Sequence, residues 1–130
     1  MVNNYYTLRA LVREWHADLE GTTVRDIYSQ TKNELTVVLS GTDQDWMVRG
    51  SVQRPFLYLF RRPGYHKARR NVATLFEGAR GRTVRDISIA ERDRLVSIEL
   101  AGGGCLLWQL FGARANAFHV APDGTIVNAF

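Results

Sequence analysis

Three histidines, one cysteine and thirteen carboxylates are the side chains of this 130-residue chain that could do covalent or metal chemistry. Their spacing points away from it. His16, His66 and His119 fall on a helical stretch, a connector and a β stretch, with no His-x-x-x-His pair, whereas zinc needs three or four convergent ligands. Cys105 stands alone, so neither a disulfide nor a thiolate cluster can be built, and Cys-Leu-Leu-Trp reads as a buried strand in which the thiol packs. Five of the thirteen carboxylates stand beside arginines, as in Arg25-Asp26, Arg85-Asp86 and Asp93-Arg94, a pattern of ion pairing and not of an acid/base dyad. Gly102 to Gly104 lie between two strand patterns with no Gly-Lys-Thr or helix after them, so a hairpin turn is expected there and not a phosphate loop. No catalytic residue, metal or cofactor is expected.

Arginine is the residue type whose placement does suggest chemistry. Between Arg61 and Arg94 lie ten of the seventeen cations and only four acids, so this stretch carries +6 while the remainder carries −2. A guanidinium forks onto phosphate oxygens, and such a cluster fits phosphate recognition. Arg69 and Arg70 fall near the start of a predicted helix over about Lys67–Gly78, where cations oppose the helix dipole and so point to a role other than helix stability.

The elements that must hold these residues are legible from periodicity. Leu8, Leu11, Val12, Trp15 and Leu19 mark one stripe of a helix that Asn4 or Thr7 can cap and Gly21 ends, with Arg9, Arg13, Glu14 and Asp18 facing away. β-favouring runs follow from Thr23, Leu35, Asp45 and Phe56, separated by polar turns, and Pro63-Gly64 breaks the chain. After the second helix, with Val72, Leu75, Phe76 and Ala79 inward, come further runs from Thr83, Leu95, Cys105 and Ala117; Val96, Ile98 and Leu100 alternate with Ser97 and Glu99.

The pentapeptide Thr-Val-Arg-Asp-Ile occurs at Thr23–Ile27 and again at Thr83–Ile87, and at the same offset Gly21 meets Gly81, Val12 meets Val72 and Leu35 meets Leu95. Two copies are too few for a solenoid, so a single pseudo-symmetric domain over 1–130 is expected. At that offset Asn33 and Glu34 match Asp93 and Arg94, which sets Arg94 apart from the scaffold. The chain stops in an apolar stretch after a turn, the pattern of a C-terminally truncated domain. Its start lacks a basic segment followed by an apolar one, and no run is long enough to span a bilayer, so a non-secreted, cytoplasmic protein is expected.

Tyr5-Tyr-Thr-Leu-Arg-Ala-Leu-Val-Arg-Glu-Trp15, Leu19-Glu-Gly-Thr-Thr-Val-Arg-Asp-Ile-Tyr-Ser-Gln30, Arg92-Asp-Arg-Leu-Val-Ser-Ile-Glu-Leu100 and Leu110-Phe-Gly-Ala-Arg-Ala-Asn-Ala-Phe-His-Val-Ala-Pro-Asp-Gly124 together resemble the NFACT N-terminal domain of the RqcH/NEMF family, formerly labelled fibronectin-binding protein A. The resemblance runs in order from Tyr5 onward. It implies an α+β fold, an antiparallel β-sandwich or pseudobarrel with flanking helices, like the N-terminal domain of formamidopyrimidine-DNA glycosylases. It also implies an RNA-binding module of a ribosome-associated quality control factor, which binds tRNA and the large ribosomal subunit carrying stalled peptidyl-tRNA during C-terminal alanine tailing. The Asp-Arg pair that the family requires falls on Asp93 and Arg94, and the family's N-terminal aspartate is replaced by Asn4. The expected RNA-binding residues are Asp93, Arg94, Arg92, Arg69 and Arg70, with no membrane or small-molecule partner. The alternatives are a fibronectin- or fibrinogen-binding adhesin, as the older family label says, and a glycosylase, against which Val2 and Asn3 stand where those enzymes resemble one another in proline and glutamate.

Overall fold

The computed structural model describes residues 5–42, 44–52, 58–64, 73–90, 94–111 and 115–130. Helix α1 (Tyr5–Leu19) buries Leu8, Val12, Trp15 and Leu19 of the stripe that the sequence marks and half-buries Leu11. Thr7 lies inside the helix, so it is not the cap, and Asn4 lies outside the described residues. The chain then turns at Gly21, whose φ of 83° a side chain would resist.

Strands β1 (Thr23–Thr31), β2 (Glu34–Ser40), β3 (Asp45–Ser51) and β4 (Tyr58–Pro63) form an antiparallel meander. A short β5 (Ala73–Thr74) closes the other side of β1, giving the order β4-β3-β2-β1-β5. Pro63 ends the edge strand β4, a place that tolerates a missing N–H. The second sheet, in the order β10-β9-β8-β7-β6, holds β6 (Val84–Ile89), β7 (Leu95–Leu100), β8 (Cys105–Gln109), β9 (Asn116–Val120) and β10 (Ile126–Ala129). The apolar stretch near the C-terminus is β10, paired along β9. Gly102, Gly103 and Gly104, all at positive φ, make the β7–β8 hairpin turn. The two sheets and α1 share one core that includes Ile27, Val37 and Leu59 from the first sheet and Ile87, Ile98 and Leu106 from the second.

The expected second helix is not formed over its described part. Ala73 and Thr74 pair instead with Ser29 and Tyr28 of β1, and only Glu77–Ala79 turn, as a 3-10 helix. Phe76, at φ 53° and ψ 49°, is left-handed, a conformation that stops a right-handed helix. Phe76 and Ala79 are buried all the same and Leu75 is half-buried, while Val72 lies outside the described residues, so over the described part the apolar spacing reports burial better than periodicity.

The duplication is a structural one. Thr23 bridges Thr83, and the flanking bonds are reciprocal: Gly21 N donates to Val84 O while Gly81 N donates to Val24 O, and Val24 N donates to Arg82 O while Val84 N donates to Thr22 O. The repeated pentapeptides thus cross at their starts about a local two-fold axis, and both strands bulge at the same place, Arg25 and Arg85. The ladders also correct the sequence match. Ile27 pairs with Val37 but Ile87 with Ile98, so the second hairpin holds one more residue, and the core positions beyond it shift accordingly: Val37 corresponds to Ile98, and Glu34 to Leu95. Arg94 therefore does not stand opposite Glu34 in the repeat, and the sign reversal inferred from a constant offset falls away. Further along, Val37 faces Val48 as Ile98 faces Leu106, which makes Gly50 the counterpart of Trp108. The two meet: a Cβ on Gly50 would lie 2.8 Å from Trp108 Nε1. An absent side chain in one copy makes room for the largest in the other.

Candidate functional site

Most of the described arginines from the basic stretch are used internally. Arg61 lies 4.2 Å from the ring centre of Trp46 and 5.9 Å from that of Trp15, and pairs with Asp18. Arg82 donates to the carbonyls of Ala101 and Gly103, both at 2.7 Å, and so ties the β7–β8 turn to the start of β6. Arg80 pairs with Glu77 at 3.3 Å and Arg85 reaches Glu99 at 3.9 Å. Arg62 is exposed on β4. Arg94 is half-buried, and its carbonyl accepts from Leu110 N. Arg92, Asp93, Arg69 and Arg70 lie outside the described residues, so the structure places only Arg94 of the expected set.

The residues that sequence reasoning passed over are on α1. Tyr6, Arg9 and Arg13 follow one another at i, i+3 and i+7, which sets them along one face beside the buried stripe. Tyr6 is 72% exposed and stands edge-on to Tyr5 with ring centres 5.1 Å apart. Among the described residues neither Arg9 nor Arg13 has an ion-pair partner. The signal was present in the sequence as two arginines one turn apart, but the apolar stripe drew the reading inward.

Between α1 and β6 lies a groove of about 590 Å³. Tyr5, Arg9, Val12, Arg13 and His16 form its helical wall, and Asp86 to Ile89 its floor. His16 Nε2 lies 2.7 Å from Asp86 Oδ1, a helix-to-sheet pair at one end, and Nδ1 lies 3.6 Å from Glu20 Oε2. At the other end Ile89 leads toward the β6–β7 connection in which Arg92, Asp93 and Arg94 fall. Asp26, the counterpart of Asp86, is buried and accepts instead from the N–H of Ile27.

Elsewhere among the described residues three groups carry shifted acidities: the exposed Asp123, lowered by its hydrogen bonds with Thr125, and His119 and Cys105. His119 on β9 is buried against Phe76, with no hydrogen-bond partner for Nδ1 among the described residues; burial and then the nearby Arg82 lower its pKa, against a bond with Asn128 that raises it. Cys105 is half-buried, and burial followed by the Glu99 charge raises its pKa, which disfavours the thiolate a nucleophile needs. Among the described residues no group of three or more His, Cys, Asp or Glu could hold a metal, and no helix is long and apolar enough to cross a membrane.

No family model and no curated protein matches the chain. Solved structures do. The N-terminal domain of the fibronectin-binding protein PavA from Streptococcus pneumoniae superposes with a TM-score of 0.84 over 98% of this chain, at 16% identity. This is the fold of the fibronectin-binding-protein N-terminal domains. The N-terminal part of the fibronectin/fibrinogen-binding protein from Streptococcus suis gives 0.80 over 94% at 15% identity, and the fibrinogen-binding protein from Staphylococcus aureus 0.74 over 95% at 14%. The chain spans 53%, 51% and 48% of those three structures, about half of each. The likeness establishes the α+β fold with its two antiparallel sheets.

Proposed function

We propose that this domain is a non-catalytic RNA-binding module, and that the outward face of α1 is its primary contact. The observation that carries this reading is the stripe of Tyr6, Arg9 and Arg13: an exposed ring on which a base can stack, next to two cations without partners among the described residues. The resemblance in sequence supports the finer statement, a component of ribosome-associated quality control that engages tRNA on the large ribosomal subunit in the cytoplasm. Arg94, Arg92, Asp93, Arg69 and Arg70 are the further contacts in this reading.

Fluorescence anisotropy with labelled tRNA and with a single-stranded RNA tests it. Affinity is expected to fall with salt, and the Arg9→Glu/Arg13→Glu pair to shallow the log–log slope by roughly 1.4, about 0.7 for each phosphate no longer neutralised. Tyr6→Ala is expected to cost about 1 to 3 kcal/mol of binding to the single strand. Salt-independent binding, or affinity unchanged in both variants and in Arg94→Glu, would overturn the reading.

A second reading rests on the names of the structural neighbours, which bind fibronectin or fibrinogen. Capture of the domain by immobilised fibronectin or fibrinogen, together with its removal from intact cells by protease shaving, would favour that role.

A further inference from the structure

The two halves of the repeat differ at one strand edge. In the first copy β5 seals β1: Tyr28 pairs with Thr74, Ser29 with Ala73, and Leu75 N donates to Ile27 O at 2.9 Å. The counterparts of Ile27, Tyr28 and Ser29 are Ile87, Ser88 and Ile89, as the shared bulge and the reciprocal bonds at Thr23 and Thr83 fix. Among the described residues no strand pairs with that side of β6, the last strand of its sheet. The residues that correspond to Ala73 and Thr74 are Arg13 and Glu14, which are wound into α1 and so cannot add to the ladder. Where the first copy has β5, the second has the groove.

The floor of that groove offers main-chain groups. Ser88 pairs across to Ser97 and Ala90 N donates to Leu95 O, so alternation along the antiparallel ladder turns the N–H and C=O of Ile87 and Ile89 away from β7 and into the groove. Four residues of added strand would be about 13 Å long, 4.8 Å across and 10 Å deep, a volume of the same order as the 590 Å³ available. The wall is apolar at Val12 and cationic at Arg9 and Arg13.

We propose that the open edge of β6 takes up one extended, acidic peptide segment of a partner protein as an antiparallel strand, in the seat that β5 occupies in the sister copy. The main chain of Ile87 and Ile89 supplies the ladder, and Arg9 and Arg13 select carboxylates on the side of the strand that faces α1. This goes beyond the RNA reading and does not depend on it: Arg9 and Arg13 line the groove and serve both readings, whereas only the peptide ladder uses β6 main chain.

The test uses the 130-residue chain and the probe acetyl-Glu-Thr-Val-Thr-Val-Thr-Glu-amide. Binding is expected to slow exchange of the Ile87 and Ile89 amides by about tenfold or more, and N-methylation of alternate probe residues to abolish it. Arg13→Glu is expected to weaken the acidic probe by about fivefold and to strengthen its lysine-substituted analogue. Ile89→Pro removes an outward N–H without touching the β7 ladder and is expected to lose the probe while still binding RNA if the RNA reading holds. Absence of exchange protection, equal binding of the N-methylated probe, or protection of the same amides by a single-stranded RNA in place of the peptide would overturn the proposal.

Discussion

At the scale of single residues, contact geometry sets the cost of substitution more firmly than residue type does. Gly50 is the sharpest case. Its missing Cβ would meet Trp108 Nε1 at 2.8 Å and Leu59 Cδ1 at 3.0 Å, and Trp108 and Leu59 are both fully buried. Gly50→Ala is therefore expected to destabilise the fold by about 1 to 3 kcal/mol through overpacking, as read from the urea midpoint; a neutral result would mean that the indole can shift. His119 gives a pH dependence whose sign follows from its lowered pKa. The unfolded chain binds the proton more readily than the folded one, so stability is complete above the ordinary value of 6.5 and declines as pH falls through it toward the folded pKa. Denaturation midpoints measured from pH 7.5 down to 5.5 are expected to fall, and His119→Asn to flatten that part of the decline. Cys105, with its raised pKa, is expected to react with a disulfide reagent at neutral pH more slowly than an unstructured thiol does, and to catch up only on unfolding.

At the scale of elements, the sequence showed strands and helix well and their partners poorly. The alternation of Val96, Ile98 and Leu100 appears as buried residues on β7, and the α1 stripe is buried as expected. Over its described part the second helix failed because Val72, Leu75, Phe76 and Ala79 carry helical spacing, while the free edge of β1 offers Ala73 and Thr74 a ladder. Local periodicity cannot weigh a pairing with a strand more than forty residues away. The repeat misled at the hairpins for a related reason: a turn that is one residue longer leaves no mark in a comparison at constant offset, yet the ladder reports it at once. The candidate site was only partly legible. The basic stretch was legible by composition and Asp93 and Arg94 only through the family resemblance, whereas Arg9 and Arg13 needed the groove to give them meaning. The repeat does make one symmetric prediction. Gly21 and Gly81 have φ of 83° and 84°, and an added Cβ would meet nothing within 4 Å at either. Alanine at each is expected to cost the same, about 1 to 2 kcal/mol, from backbone conformation alone; a marked inequality in measured stability would mean that the two turns are not equivalent.

At the scale of the whole molecule, the copies are not independent units placed side by side. Helix α1 of the first half packs on β6 of the second, and β5 of the second half closes β1 of the first. The Thr23 and Thr83 crossing adds four main-chain bonds between them. Each half thus supplies the cover for the other's first strand, and a piece of about sixty residues buries too little surface to stand alone when its cover is removed. Residues 1–64 and 65–130, made separately, are expected to lack a cooperative thermal transition by circular dichroism, and to regain one when mixed. Cooperative unfolding of either piece alone would contradict this exchange of cover. The same exchange explains why the halves could diverge at the β1 and β6 edges without loss of fold: α1 retains the apolar stripe that seals the core, and among the described residues no strand pairs with the outer side of β6, while Ala73 and Thr74, the counterparts of Arg13 and Glu14, form a strand that seals β1. Among the described residues one edge is closed by the chain itself, and the other is the edge proposed to take up a peptide strand.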